Sequence, residues 1–148
     1  FPNNVGQYGY MIESTDIHSQ NSIAKYGDID LSDTNIYSTK NYFPVRLNLY
    51  KTKSLSAPHQ INSYFYTKIP SQNKLFSFTA YRNGSCHGIL SFFHAFYGNH
   101  VVSNDTRDKS HWHQAFHPLD MPIYIEAGKI YEFSMDQSGL ISPLGQEG

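Results

Sequence analysis

Apolar and polar residues alternate along much of this chain with a period of two. Residues 45–50 read Val-Arg-Leu-Asn-Leu-Tyr, which sets Val45, Leu47 and Leu49 on one face of a strand and Arg46 and Asn48 on the other. Residues 75–81, Leu-Phe-Ser-Phe-Thr-Ala-Tyr, combine aromatics with Thr79 and predict a second strand. Residues 88–97, Gly-Ile-Leu-Ser-Phe-Phe-His-Ala-Phe-Tyr, are apolar on both faces except at Ser91 and His94. That pattern suits a central strand covered on both sides. Asn83-Gly84 stands between the last two runs, and both residues tolerate the positive φ of a type I′ turn. Residues 75–82 and 86–97 are therefore expected to pair as an antiparallel hairpin.

Further strands are predicted over 8–13, 111–117, 122–126 and 129–135, with Ala127-Gly128 as a turn between the last two. No stretch sustains a spacing of 3.6 residues, and Pro44, Pro58, Pro70, Pro118 and Pro122 fall at the ends of the runs. The fold class expected is all-β, an antiparallel barrel or sandwich of about eight short strands. Residues 14–42 break the rhythm as a long polar excursion rich in Ser, Asp, Asn and Thr. Residues 137–148 carry three Gly and one Pro and are expected to fray as a flexible tail, leaving 1–136 as a single β domain.

Composition narrows the classes. A chain of 148 residues is one domain's worth. With 10 Phe and 12 Tyr it has ample apolar surface to bury, which excludes a disordered tail. Lys and Arg number 11 against 12 acids and are scattered, which argues against nucleic-acid binding through bulk charge. No apolar run reaches the length that crosses a bilayer as a helix, so no membrane partner is expected. Cys86 stands alone, which excludes an internal disulfide framework and favours a reducing, cytoplasmic setting. The first residue is Phe1 rather than Met, so a processed chain or one cut from something longer is expected.

Candidate chemistry concentrates in Ser110-His111-Trp112-His113-Gln114-Ala115-Phe116-His117. In a strand, His111 and His113 share a face about 7 Å apart, with Trp112 on the other. Such a pair can contribute two metal ligands; His117 would lie about 13 Å from His113, too far to be the third. Glu126 on a neighbouring strand is another possible ligand. The plainer reading, edge histidines bonded to backbone or facing a partner, is preferred over a metal site. Ser85-Cys86-His87 places a thiol beside an imidazole, but adjacent strand residues face opposite sides, so a buried structural cysteine is expected. There is no Gly-x-Ser-x-Gly elbow, Gly-rich phosphate loop or Cys-x-x-Cys pair. Asp28 and Asp30 read as solvated loop acids. Exposed Tyr and Trp112 leave open a stand-alone carbohydrate- or protein-binding sandwich. No reaction follows from spacing alone.

The order of elements in the second half resembles the C-terminal β-barrel of the protein arginine methyltransferases. A strand Leu75–Arg82, an apolar strand Gly88–Tyr97 and a polar loop lead to Ser110-His111-Trp112-His113-Gln114, then to Pro122-Ile123-Tyr124-Ile125-Glu126-Ala127-Gly128. The family has a Thr-His-Trp loop, usually followed one residue later by Gln, and here Ser110 keeps the hydroxyl. Upstream, Phe1-Pro2-Asn3 followed by Tyr8–Glu13 looks like the junction to the first barrel strand, and Val45–Lys51 like the strand after the dimerisation arm. The resemblance implies that His111 reaches an acid of the cofactor domain and that Trp112 borders the substrate pocket, where a π face holds a cation. Ser110, His111, Trp112 and Gln114 become the expected substrate-pocket and domain-interface residues. The excursion 14–42 stands at the place of the dimerisation arm but lacks an amphipathic pattern. The family binds S-adenosylmethionine on a separate Rossmann-like domain with two catalytic glutamates, and no Gly-rich loop of that kind occurs in these residues. The resemblance therefore implies a non-catalytic barrel. Its partners would be an N-terminal domain binding S-adenosylmethionine, a protein substrate and a homodimer mate.

Overall fold

A computed structural model describes residues 4–20, 25–26, 28–30, 41–46, 50–65, 74–97, 99–103 and 114–144. The main sheet contains β1 (Asn4–Glu13), β4 (Phe43–Val45), β5 (Lys53–Ser54), β6 (His59–Phe65), β8 (Gly84–Tyr97), β9 (His100–Ser103) and β10 (Gln114–Ile125). Its order is β4-β10-β8-β1-β5, with β6 also on β1 and β9 on β8. A second sheet runs β12-β11-β7, where β7 is Lys74–Thr79, β11 is Ile130–Met135 and β12 is Ile141–Pro143. Short strands β2 (Lys25–Tyr26) and β3 (Ile29–Asp30) pair with each other. Every strand pairing among the described residues is antiparallel. The fold is all-β, a sandwich related to a barrel.

β8 occupies the centre of the main sheet, as its two-faced apolar pattern requires. It pairs with β1 from Asn4↔Phe96 to Ile12↔Gly88, and on its other edge with β10. One face of the sheet packs Met11, Ile61, Cys86, Ile89, Leu119 and Ile125 against Phe76, Phe78, Tyr131, Phe133, Met135 and Ile141 of the second sheet. Burying a Phe or Leu of this kind stabilises by about 1.5–3 kcal/mol each, and this layer holds the two sheets together. The opposite face carries a second cluster: Tyr10, Ile12, Val45, Leu90, Phe92 and Phe116, with Ile17 from the excursion. Over Gly88–Phe92 both faces of β8 are thus buried.

The expected hairpin does not form. β7 pairs with β11, from Ile130↔Thr79 to Met135↔Lys74, while β8 belongs to the other sheet. Asn83-Gly84 serves a crossing between sheets rather than a type I′ turn. The Asn83 side-chain oxygen accepts the N–H of Ala127 at 2.7 Å. A Cβ on Gly84 would lie 2.6 Å from Glu13 Oε2 and 2.8 Å from Leu55 Cδ2, so those two side-chain ends would have to shift to admit one. The Ala127-Gly128 turn does form, with Gly128 at φ 89° and Lys129 N–H bonded to the Glu126 carbonyl at 3.2 Å. It also links two sheets.

Other boundaries shift for local reasons. The expected strands 111–117 and 122–126 meet in one strand, β10, over Gln114–Ile125, while 111–113 lie outside the described residues; its register to β8 breaks between Pro118 and Ile123, where two prolines cannot donate to a ladder. Of the run 45–50, Val45 closes β4 and Arg46 follows it outside any strand, while 47–49 lie outside the described residues. The polar excursion opens with a helix that its composition does not announce, α1 (Thr15–Gln20). Six residues are too few to show a helical period, and the helix begins because Ser14 caps it, its Oγ accepting from Ile17 N–H at 3.3 Å. In the segment expected to fray, Ile141–Pro143 forms β12 on β11 and Leu144 N–H bonds the Glu132 carbonyl at 2.9 Å. Residues 145–148 lie outside the described ones. No described helix is long and apolar enough to cross a membrane.

Candidate functional site

Ser110, His111, Trp112 and His113 lie outside the described residues, and of the expected site residues Gln114 is the one described. Gln114 is the first residue of β10, buried, and opposite Val45 of the edge strand β4. Phe116, two residues on, packs into the outer cluster beside Leu90 and Phe92. At its start β10 therefore lies along the outer aromatic face of the sheet through Phe116. Along that face Tyr8 lies 5.0 Å from His94 and 5.9 Å from Phe92, ring centre to ring centre. His94 keeps its Nε2 buried with no hydrogen-bond partner among the described residues.

The other face of β10 holds a polar network. His117 is buried between Ser91 Oγ, 2.8 Å from its Nε2, and the Gly139 carbonyl, 2.8 Å from its Nδ1. A carbonyl accepts only, so Nδ1 carries the hydrogen and Nε2 of the neutral ring accepts from the Ser91 hydroxyl. Ser91 Oγ is then free to accept from the Gln7 amide at 3.4 Å. Burial holds the His117 pKa below its ordinary value, with the Gly139 bond opposing. A serine hydrogen-bonded to a histidine invites comparison with a nucleophile and its base. Here both are enclosed and the histidine is fixed to a turn, so the pair ties the β11–β12 connection to the main sheet. The sequence marked Ser91 only as a polar break in an apolar run and His117 only by its distance from His113. No sequence signal joins them, because they meet across strands.

The other sequence candidates separate. Cys86 is buried, donates to the Gly88 carbonyl at 3.3 Å, and burial pushes its thiol up to about 12. It stays protonated and unreactive. Its sequence neighbour His87 turns instead to Ser14, accepting that residue's N–H at 3.1 Å. Glu126 is exposed and pairs with Lys129 at 2.9 Å. Among the described residues no group of three or more His, Cys, Asp or Glu could hold a metal ion. His111 and His113 fall outside that set. Nor do the described residues fit a dinucleotide-type cofactor site, which uses the carboxyl ends of parallel strands and a Gly-rich turn.

No family model matches the chain. Over 127 residues it is 26% identical to an arginine N(omega)-methyltransferase of Streptomyces achromogenes subsp. streptozoticus, taking in 82% of this chain and 35% of that protein. The chain thus spans about a third of that relative's length. In fold it is similar to a chain of the Trypanosoma brucei PRMT1 enzyme-prozyme heterotetrameric complex with AdoHcy, with a TM-score of 0.71 and 20% identity. That likeness covers 92% of this chain and 46% of the other. In both its sequence and its antiparallel β architecture, the chain is protein-arginine-methyltransferase-like.

Proposed function

We propose that these residues form the non-catalytic, C-terminal substrate-binding and interaction barrel of an arginine-methyltransferase-like enzyme that uses S-adenosylmethionine. The observation that carries this reading is the alignment to an arginine N(omega)-methyltransferase over 82% of the chain. The fold match to a complex holding AdoHcy, the product left when S-adenosylmethionine gives up its methyl group, supports it. Binding of S-adenosylmethionine and the methyl transfer are assigned to a separate N-terminal domain, a reading supported by the antiparallel pairing of all strands among the described residues. Trp112 would present a flat π face to the guanidinium substrate. His111, with Ser110 beside it, would latch the barrel to the cofactor domain, and Gln114 would anchor that loop on the sheet. The heterotetramer to which the similar chain belongs favours an oligomeric partner for this protein as well. A cytoplasmic setting is part of the proposal.

The test is transfer of labelled methyl from S-adenosylmethionine to free arginine and to arginine peptides by the full-length protein. Transfer is expected, and Trp112→Ala and His111→Ala should each lower it by about tenfold or more, as loss of a positioning contact does, with little change in melting temperature. Failure of the full-length protein to methylate any guanidinium overturns the reading. Wild-type transfer rates in both variants would remove Trp112 and His111 from the pocket.

A further inference from the structure

Two histidines fasten helix α1 to the main sheet. Ser14 caps the helix with its hydroxyl, which also donates to the Lys51 carbonyl at 2.8 Å, while its backbone N–H donates to Nδ1 of His87 on β8 at 3.1 Å. A backbone N–H can only donate, so Nδ1 must be the bare nitrogen and His87 is held in one neutral tautomer. In the last turn of α1, the His18 ring lies 5.5 Å from the His87 ring, and its Nε2 meets the Leu119 carbonyl on β10 at 3.0 Å. That nitrogen therefore carries a hydrogen.

A proton arriving at His87 Nδ1 would set N–H against the N–H of Ser14 and a cation opposite His18. Among the described residues the titratable groups facing His87 are His18 from α1 and Glu13 from β1, and β10 contributes the Leu119 carbonyl that holds His18. Burial and His18 lower the His87 pKa, while Glu13 raises it. The Glu13 carboxylate is already engaged by the N–H of Ser85. A helix of six residues does not persist in water without such anchors. The β1–β8 ladder, by contrast, runs over nine residue pairs from Asn4 to Ile12 and does not involve either ring.

We propose that His87 is an acid-sensitive latch: protonation of its Nδ1 releases Ser14 and unfastens α1 from the main sheet, while the β1–β8–β10 core stays paired. This is a conformational device of the fold, independent of whether the protein transfers methyl groups.

Hydrogen–deuterium exchange on the full-length protein tests it, at about pH 7.5 and about pH 5, corrected for intrinsic exchange. A peptide over 13–20 should lose roughly tenfold or more of its protection at the lower pH, while one over 89–96 keeps its own. In His87→Asn the amide oxygen takes the place of Nδ1, accepts from Ser14 and cannot be protonated, so protection over 13–20 should hold at both values. Exchange at the histidine C2–H, read from the same wild-type protein, gives the titration midpoint of His87 and decides the matter if the variant does not fold. The loss over 13–20 should share that midpoint. Unchanged protection in the wild type, an equal loss in His87→Asn, or midpoints more than about one pH unit apart would overturn the proposal.

Discussion

Ser91 of β8 donates its hydroxyl to Nε2 of His117 on β10 across 2.8 Å, in a site closed to solvent. The bond fixes the ring tautomer and, through the Gly139 carbonyl, holds the turn between β11 and β12 against the main sheet. Ser91→Ala should leave Nε2 buried and unsatisfied at a cost of about 1–3 kcal/mol. Urea unfolding measures it. A loss below a few tenths of a kcal/mol would mean that the pair is not holding the sheets together.

The same histidine makes stability depend on pH. Its folded pKa lies below the ordinary 6.5, so the unfolded chain binds more protons in the window beneath that value. Stability is then fully present above 6.5 and falls as pH drops below it towards the folded pKa, levelling off once that is passed. His87 adds to the slope in the same direction. Unfolding free energies at neutral pH and at mildly acidic pH should show this decline, and His117→Gln should make it shallower. An undiminished slope in the variant would place the acid sensitivity elsewhere.

Phe133 sits in the layer between the sheets, 6.0 Å from Phe76 and 5.8 Å from Phe78. Its replacement by Ala should cost about 3–5 kcal/mol. On the outer face of the same small sheet Leu75 is 72% exposed, and Leu75→Ala should stay within about 0.5 kcal/mol. Similar melting temperatures for the two variants would contradict the burial assigned to the layer.

Two glycines are required for different reasons. A Cβ on Gly88 would lie 2.5 Å from the His117 carbonyl oxygen and 2.6 Å from the Phe116 ring, so Gly88→Ala should cost about 1–3 kcal/mol by overpacking. Around Gly128 nothing lies within 4 Å of such an atom, yet its φ of 89° is disfavoured for other residues. Gly128→Ala should cost about 1–2 kcal/mol, and Gly128→Asn, which tolerates positive φ, less. Equal losses for Ala and Asn at position 128 would remove the backbone explanation.

Strand content and placement were largely legible, because period-two alternation reports directly which side chains are buried. The run 88–97 identified itself as a central strand by being apolar on both faces, and β8 has both neighbours and a core on each side. Gly128 announced its turn because a left-handed backbone leaves a mark in residue type. The resemblance to arginine methyltransferases rested on element order and the His-Trp-x-Gln core, and both the alignment and the fold likeness extend over most of the chain. Helix α1 was invisible, since six residues held by a cap and by contacts to β8 and β10 carry no period of their own.

The sequence by itself determined that the chain is all-β, which segment is central, and where its aromatic surface must be buried. These follow from residue type and local alternation. Only the tertiary structure decided which strands pair. Asn83-Gly84 offered a hairpin to β7 and β8, but apolar faces on β7 and β11 are buried only when those strands form a second layer over the main sheet. The area buried between layers outweighs what one favourable turn contributes. It likewise brought Ser91 to His117 and His18 to His87, pairs separated in sequence and joined by hydrogen-bond geometry that no linear pattern encodes.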